Sequence, residues 1–136
     1  MVRGLGQVWA ALALGAVAAV GLAASAHAQA PWEAPAAEKA KKNPLPADAK
    51  SVEQGKKVAD INCITCHGPK GKGDGVAAAA LNPKPADWTS KKVQGESDGE
   101  IFWKISTGRG AMPSWKHLPE NERWALVRYI RSVGGK

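Results

Sequence analysis

The chain has only two cysteines in 136 residues. That excludes a disulfide-dense scaffold. One long apolar run lies near the N-terminus and no second follows, which excludes a multi-span membrane protein. Nowhere do four or more residues alternate in the manner of a strand, so a β architecture has no support. There is no internal repeat, and the length excludes a second globular domain. Three histidines and two methionines leave few candidates for metal ligation.

What is present begins with a leader. Met1-Val2-Arg3 is a short positive start, Val8 to Ala24 carries no charged or polar side chain, and Ala26-His27-Ala28 follows. These are the three regions of a secretory signal peptide, predicting cleavage after Ala28. The alternative is a retained membrane anchor, for which the run is slightly short of the roughly 20 residues a span needs. No Arg-Arg pair is present, so the leader reads as a general secretory signal. The expected location is the periplasm, in soluble form if the leader is cleaved and anchored facing the periplasm if it is retained.

Residues 29–50 hold Pro31, Pro35, Pro44 and Pro46, much alanine and few large apolar groups. Such a composition cannot bury enough surface to offset its ordering entropy. It predicts a solvated tether with some helix around residues 36–42, with Trp32 and Leu45 left in solvent. The domain is then residues 51–136.

Within the domain, Ser51-Val52-Glu53-Gln54 fits a capping box at a helix start, and Val58 and Ile61 supply an apolar stripe. Residues 67–75, HGPKGKGDG, are loop. Val76 to Leu81 reads as an alanine-rich helical turn ended by Pro83 and Pro85. Ser97-Asp98-Gly99-Glu100 is a second capping box, opening a helix with Ile101, Phe102 and Ile105 and closing at Gly108. Pro119 suits the first position of a last helix, with Glu120 and Glu122 in its first turn. There Leu126, Ile130 and Val133 share a face beside Tyr129. The residues therefore predict an all-α domain with long glycine- and proline-rich loops.

Cys63-Ile64-Thr65-Cys66-His67 is C-x-x-C-H, the attachment motif of c-type haem. On a helical turn, positions i, i+3 and i+4 share a face. Two thiols so spaced reach neighbouring vinyl groups at one porphyrin edge and add to them as thioethers, and the adjacent imidazole reaches the iron. Other readings of the cysteines are poorer. A structural zinc site needs four ligands, and beyond Cys63, Cys66 and His67 only His117 remains. A thioredoxin-like pair would want a βαβ pattern nearby. A disulfide across three residues closes too small a loop to stabilise much. For the opposite face of the iron, Met112 is the candidate. It precedes Pro113, which disfavours helical backbone at Met112, and it follows the flexible Gly108-Arg109-Gly110-Ala111. His117 needs no special role.

The whole of residues 51–136 resembles a class I cytochrome c. The matching features are a helix ending in CxxCH, a glycine-rich loop, Leu81–Asp87 as LNPKPAD, Gly108–Ser114 as GRGAMPS, and a C-terminal helix with W-x-L-V-x-Y-I. The resemblance implies a small cytochrome c fold of three to five helices wrapped around one covalently bound haem c, with His67 and Met112 as axial ligands. It also implies that Gly55 packs closely on the last helix near Tyr129 and Ile130. A backbone carbonyl near Pro69 should accept the second ring N–H of His67. Ala59 departs from the family, which often carries an aromatic there.

The function implied is one-electron transfer without catalysis of its own, by a secreted carrier. The alternatives are a fixed cytochrome c subunit of a larger oxidoreductase or oxidase, and a haem-based gas-binding or sensor protein. The formal net charge is +7. Lys70, Lys72, Lys84, Lys91, Lys92, Lys104, Arg109 and Lys116 lie in or beside the loops that should rim the haem. They suit transient docking of acidic-surfaced redox proteins, donor and acceptor unspecified. Nucleic acid is a poor fit to so moderate a charge and an exported address. Trp88, Trp103 and Trp115 read as core, with packing on the haem or a hydrogen bond to a propionate as the alternative.

Overall fold

The computed structural model describes residues 31–135. The expected leader, residues 1–28, lies outside them. The described residues are all-α: α1 (Ala36–Lys39), α2 (Ala49–Asn62), α3 (Ile64–His67), a 3-10 turn (Ala78–Ala80), α4 (Lys91–Gly95), α5 (Asp98–Thr107) and α6 (Glu120–Val133). The only β pairing among them is an isolated bridge between Arg109 and Met112. None of their helices is long and apolar enough to cross a membrane.

The central contact is α2 against α6. It depends on Gly55, where an added Cβ would collide with the Ala125 carbonyl and lie 2.9 Å from the Tyr129 Cβ. Glycine lets the two backbones approach to a distance no other residue permits. This agrees with the implied Gly55–Tyr129 packing and extends it one turn back, to Ala125. On α2, Ser51, Gly55, Val58 and Ala59 are buried, and Ile61 is 81% exposed. At 3.6 residues per turn Ile61 falls about 100° from the centre of the buried face, so the predicted Val58/Ile61 stripe is not the one α2 uses.

The helix ends show which local signals operate. Helix α5 follows its prediction: the Ser97 hydroxyl accepts a hydrogen bond from the Glu100 N–H at 3.1 Å, and Gly108 ends the helix at φ 64°. Helix α2 starts earlier than its capping box suggests. Its N-cap is Asp48, whose carboxylate accepts from the Ser51 N–H at 2.8 Å. Pro119 is the N-cap of α6 rather than its first residue. Helix α4 was not anticipated, because a single turn with one apolar side chain has no periodicity to read. Ser90 caps it through Val93 N–H at 3.3 Å.

Helix α6 is buried on more than the one predicted face. Trp124, Ala125, Leu126, Val127, Tyr129 and Ile130 are all buried. Trp124 stacks on Phe102 of α5, with ring centroids 3.9 Å apart and planes 12° from parallel, while Ala125 and Tyr129 face α2.

Residues 32–48 pack along α5 and then α6, and here the tether expectation is corrected. The compact unit begins at Trp32. Ala34 is buried. Trp32 packs on Trp103 at 6.5 Å under the Lys104 ammonium. Asn43 Nδ2 donates to the Trp124 carbonyl at 3.0 Å. Arg128 donates to the Leu45 carbonyl through Nε at 3.0 Å and again through a second guanidinium nitrogen. Asp98 pairs with Arg131 at 2.8 Å and with Arg128 at 3.6 Å, which orients both guanidinium groups. The segment is poor in apolar side chains, as its composition says. Its backbone carbonyls are instead recruited by side chains of α5 and α6.

Candidate functional site

The CxxCH residues form one helical turn at the end of α2. The Cys63 N–H donates to Ala59 O at 2.8 Å, and the Cys66 and His67 N–H groups both donate to Cys63 O, at 3.1 and 2.9 Å. A helix leaves its last four carbonyls without partners. Here the following loop supplies all four: Gly68 N–H to Ile64 O at 2.8 Å, Ala77 to Thr65 at 2.9 Å, Gly75 to Cys66 at 3.1 Å and Gly73 to His67 at 2.8 Å. The glycine-rich sequence that reads as mere loop is thus a cap folded back over the motif, fixing where Cys63, Cys66 and His67 point.

Both cysteines are free thiols. Cys63 is buried, and that burial, with Cys66 close by, pushes its thiol up to about 12. It is therefore held as a neutral thiol. Among the described residues no three His, Cys, Asp or Glu side chains converge to hold a metal ion, so the zinc alternative lacks its ligand set there.

His67 is buried, and Nδ1 lies 3.0 Å from the carbonyl oxygen of Ala86. A carbonyl can only accept, so Nδ1 carries the proton and Nε2 keeps its lone pair. Burial lowers the tendency of the ring to protonate, and the hydrogen bond to Ala86 opposes this in part. The net result is a neutral imidazole with one free donor nitrogen, the state in which histidine ligates a metal. The partner carbonyl is Ala86 and not one near Pro69, as the resemblance implied. The Pro69 carbonyl instead faces the Tyr129 hydroxyl at 3.4 Å. The correction has a simple cause: the loop after His67 turns away to cap α3, and residues 85–88 come in to take its place.

Trp88 stacks on His67, with ring centroids 4.7 Å apart and planes 25° from parallel. The Trp88 backbone N–H donates to the Gly71 carbonyl at 2.7 Å. At Gly71, φ is +67° and an added Cβ would strike the indole, so glycine is required there twice over.

Met112 lies in the turn after α5. Reciprocal hydrogen bonds join Arg109 N–H to Met112 O at 2.9 Å and Met112 N–H to Arg109 O at 3.1 Å. The Ser114 hydroxyl donates to Ser106 O at 2.6 Å and anchors the turn to α5. Met112 is partly buried and packs against the hydrophobic core. His117 is exposed beside Trp115.

The donor set suits a c-type haem: two free thiols and an imidazole on one capped turn, and a thioether on a separate pinned loop. Of the basic residues expected at its rim, Lys70, Lys72, Lys84, Lys91, Lys92 and Lys116 are exposed. Lys104 is not among them. It is largely buried, 2.5 Å from Glu96 and 3.2 Å from Glu100.

Residues 50–130 match the family model described as cytochrome c oxidase, cbb3-type, subunit III. The chain is similar to the cbb3-type cytochrome c oxidase subunit CcoP of Azospirillum sp. (strain B510), 36% identical over 97 residues that cover 65% of this chain and 31% of that protein. It is similar also to the FixP subunit of Azorhizobium caulinodans, 32% identical over 92 residues, covering 66% of this chain and 30% of that protein. The chain thus spans under a third of the length of these relatives. Among solved structures, a chain of the reducing HAO-like protein complex of Kuenenia stuttgartiensis is 33% identical, with a TM-score of 0.59 over 66% of this chain and 46% of that one.

Proposed function

Because the chain belongs to the cbb3-type cytochrome c oxidase subunit III family, we propose that it passes single electrons through one covalently attached haem c, as the cytochrome subunit of a larger oxidase or oxidoreductase. The named relatives are oxidase subunits, which favours this over a freely diffusing carrier. The observation that carries the reading is the His67 imidazole, buried, oriented by Ala86 and presenting Nε2 one residue after Cys66.

In this reading Cys63 and Cys66 would hold the haem as thioethers, and His67 and Met112 would be the ligands of its iron. The haem supplies a one-electron ferric/ferrous couple when bound. Met112 raises the potential relative to a second histidine. With His67 and Met112 both serving as iron ligands, substrates and small gases would be kept from the iron, which separates this reading from a gas sensor. The exposed lysines around the loops offer an acidic-surfaced redox partner a small transient interface. The site of action is the periplasmic side of the membrane, with the leader either cleaved or retained as an anchor.

The test is an optical spectrum of the protein produced with haem-attachment machinery. Alkaline pyridine should give the spectrum of a thioether-linked haem, and the ferric protein should show the weak far-red band of iron bonded to sulfur, lost in Met112→Ala. A colourless product, or ready binding of carbon monoxide by the reduced wild type, would overturn the reading. Sizing a native extract separates subunit from carrier: co-migration with a large complex supports the first, and a free small protein supports the second.

A further inference from the structure

The hydrogen bond from Nδ1 to Ala86 constrains the His67 ring at one atom. It sets the tautomer, yet a single hydrogen bond leaves the ring some rocking about its Cβ–Cγ bond. The second constraint comes from the same loop, two residues on. The Trp88 indole lies over the imidazole face at 4.7 Å and 25°, where it blocks that rocking.

Trp88 is itself held from several directions. It is 6% exposed. Its backbone N–H donates to Gly71 O at 2.7 Å. Its carbonyl accepts from Gln94 Nε2 at 2.7 Å, and the same nitrogen donates to Ile130 O of α6 at 2.9 Å. The Tyr129 ring meets the indole edge-on, with centroids 6.1 Å apart and planes at 84°. The indole is thus clamped between the glycine loop and α6, and it transmits that rigidity to the imidazole.

We propose that Trp88 is a positioning residue for the axial imidazole, fixing its ring plane and favouring the oxidised state of the iron. The electrostatic part follows from the indole quadrupole, whose face is negative. An imidazole bound to ferric iron carries more positive charge than one bound to ferrous iron, and a cation-like ring is attracted to an aromatic face. The biased step is the loss of one electron from the iron, delivered in the test to an electrode. The inference rests on the haem reading above, and that reading is checked separately by the wild-type spectrum.

The experiment measures the reduction potential and the ferric electron paramagnetic resonance spectrum of the haem-loaded protein, for wild type, Trp88→Leu and Trp88→Phe. Leu keeps the site apolar but removes the aromatic face. The Leu variant should therefore shift the ferrous/ferric ratio at fixed electrode potential several-fold toward ferrous, up to about tenfold, or about 59 mV. Its largest g-value should move as the ring plane is released. Phe, with a weaker face, should lie between Leu and wild type in potential and restore most of the wild-type g-values. A haem-loaded Leu variant with wild-type potential and g-values, or with a lowered potential, overturns the proposal. If the Leu variant does not assemble, Phe alone decides: a potential at or below that of wild type overturns it.

Discussion

Two irregular segments flank the helices, and they are held in opposite ways. The loop of residues 68–90 carries much of its own fastening. Its glycines cap α3, and its Ala86 carbonyl and Trp88 ring engage His67. The segment of residues 32–48 carries little of its own. It is fastened largely by groups reaching in from elsewhere, Arg128 to the Leu45 carbonyl and the Ser97 hydroxyl to the Lys39 carbonyl at 2.8 Å, with its own Asn43 amide donating to the Trp124 carbonyl. A segment's composition reports what it can bury by itself. It does not report which distant side chains will take up its carbonyls, and that is why the second segment reads as a tether and folds as a strap.

The largest effect should come from cutting the loop side at its covalent root. With Cys63→Ser and Cys66→Ser together, the haem that is proposed to complete the core of this small domain cannot be attached. Circular dichroism is expected to show loss of most helicity and no cooperative thermal transition. A double variant with native helicity and no haem would show instead that the helices and the strap hold the fold alone.

Releasing the strap should cost less. Arg128→Ala removes hydrogen bonds to the Leu45 and Asn43 carbonyls and an ion pair to Asp98. Hydrogen bonds from a charged group contribute roughly 1.5–3 kcal/mol. We expect a loss of about 2–4 kcal/mol, measured by denaturant unfolding of the haem-loaded protein. Trypsin should also cut sooner at Lys41 and Lys42, while the haem spectrum stays unchanged. A spectral change would mean that the two segments are coupled through α6 and not independent.

Ser97→Ala tests the single atom that serves both α5 and the strap. Its hydroxyl oxygen accepts from Glu100 N–H and donates to Lys39 O. Loss of an N-cap costs about 0.5–2 kcal/mol, and the strap bond adds roughly 0.5–1.5 kcal/mol. The expected loss is about 1–3 kcal/mol. Ser97→Thr keeps the hydroxyl and should recover most of it. Equal losses in Thr and Ala would place the effect in local packing.

The same contrast explains what could be read in advance. Helix α5 was legible because Ser97 and Gly108 mark its ends locally. The CxxCH turn was legible because its chemistry lies in five consecutive residues. The start of α2 was misplaced by three residues: Asp48 does the capping, and Ser51 supplies only the N–H that is capped. Ala86 as the partner of His67 was not legible, since 19 residues separate them and any carbonyl in the following loop looks alike in sequence. Trp88 was visible as a core residue, but nothing in its neighbours announces the imidazole it covers. Lys104 was counted as surface because Glu96 and Glu100, which bury it, read as an ordinary helix start.

The smallest structural effect is expected where the loop side faces solvent. Lys84 and Lys91 are both exposed, so Lys84→Gln with Lys91→Gln should leave stability within about 0.5 kcal/mol. The readout there is kinetic. Long-range attraction to an acidic partner acts on association and fades as salt shortens the screening length to about 10 Å at 0.1 M. In wild type, electron transfer to such a partner should slow as salt rises. In the double variant the low-salt rate should fall several-fold and the salt dependence should flatten, while rates at high salt converge. Strap-side charges give the control: Lys41→Gln with Lys42→Gln removes the same charge from the opposite segment. If both pairs lower the low-salt rate equally, only net charge matters and neither loop is a docking face. If the Lys84/Lys91 pair alone acts, the loop that holds His67 is also the side from which the electron arrives or leaves.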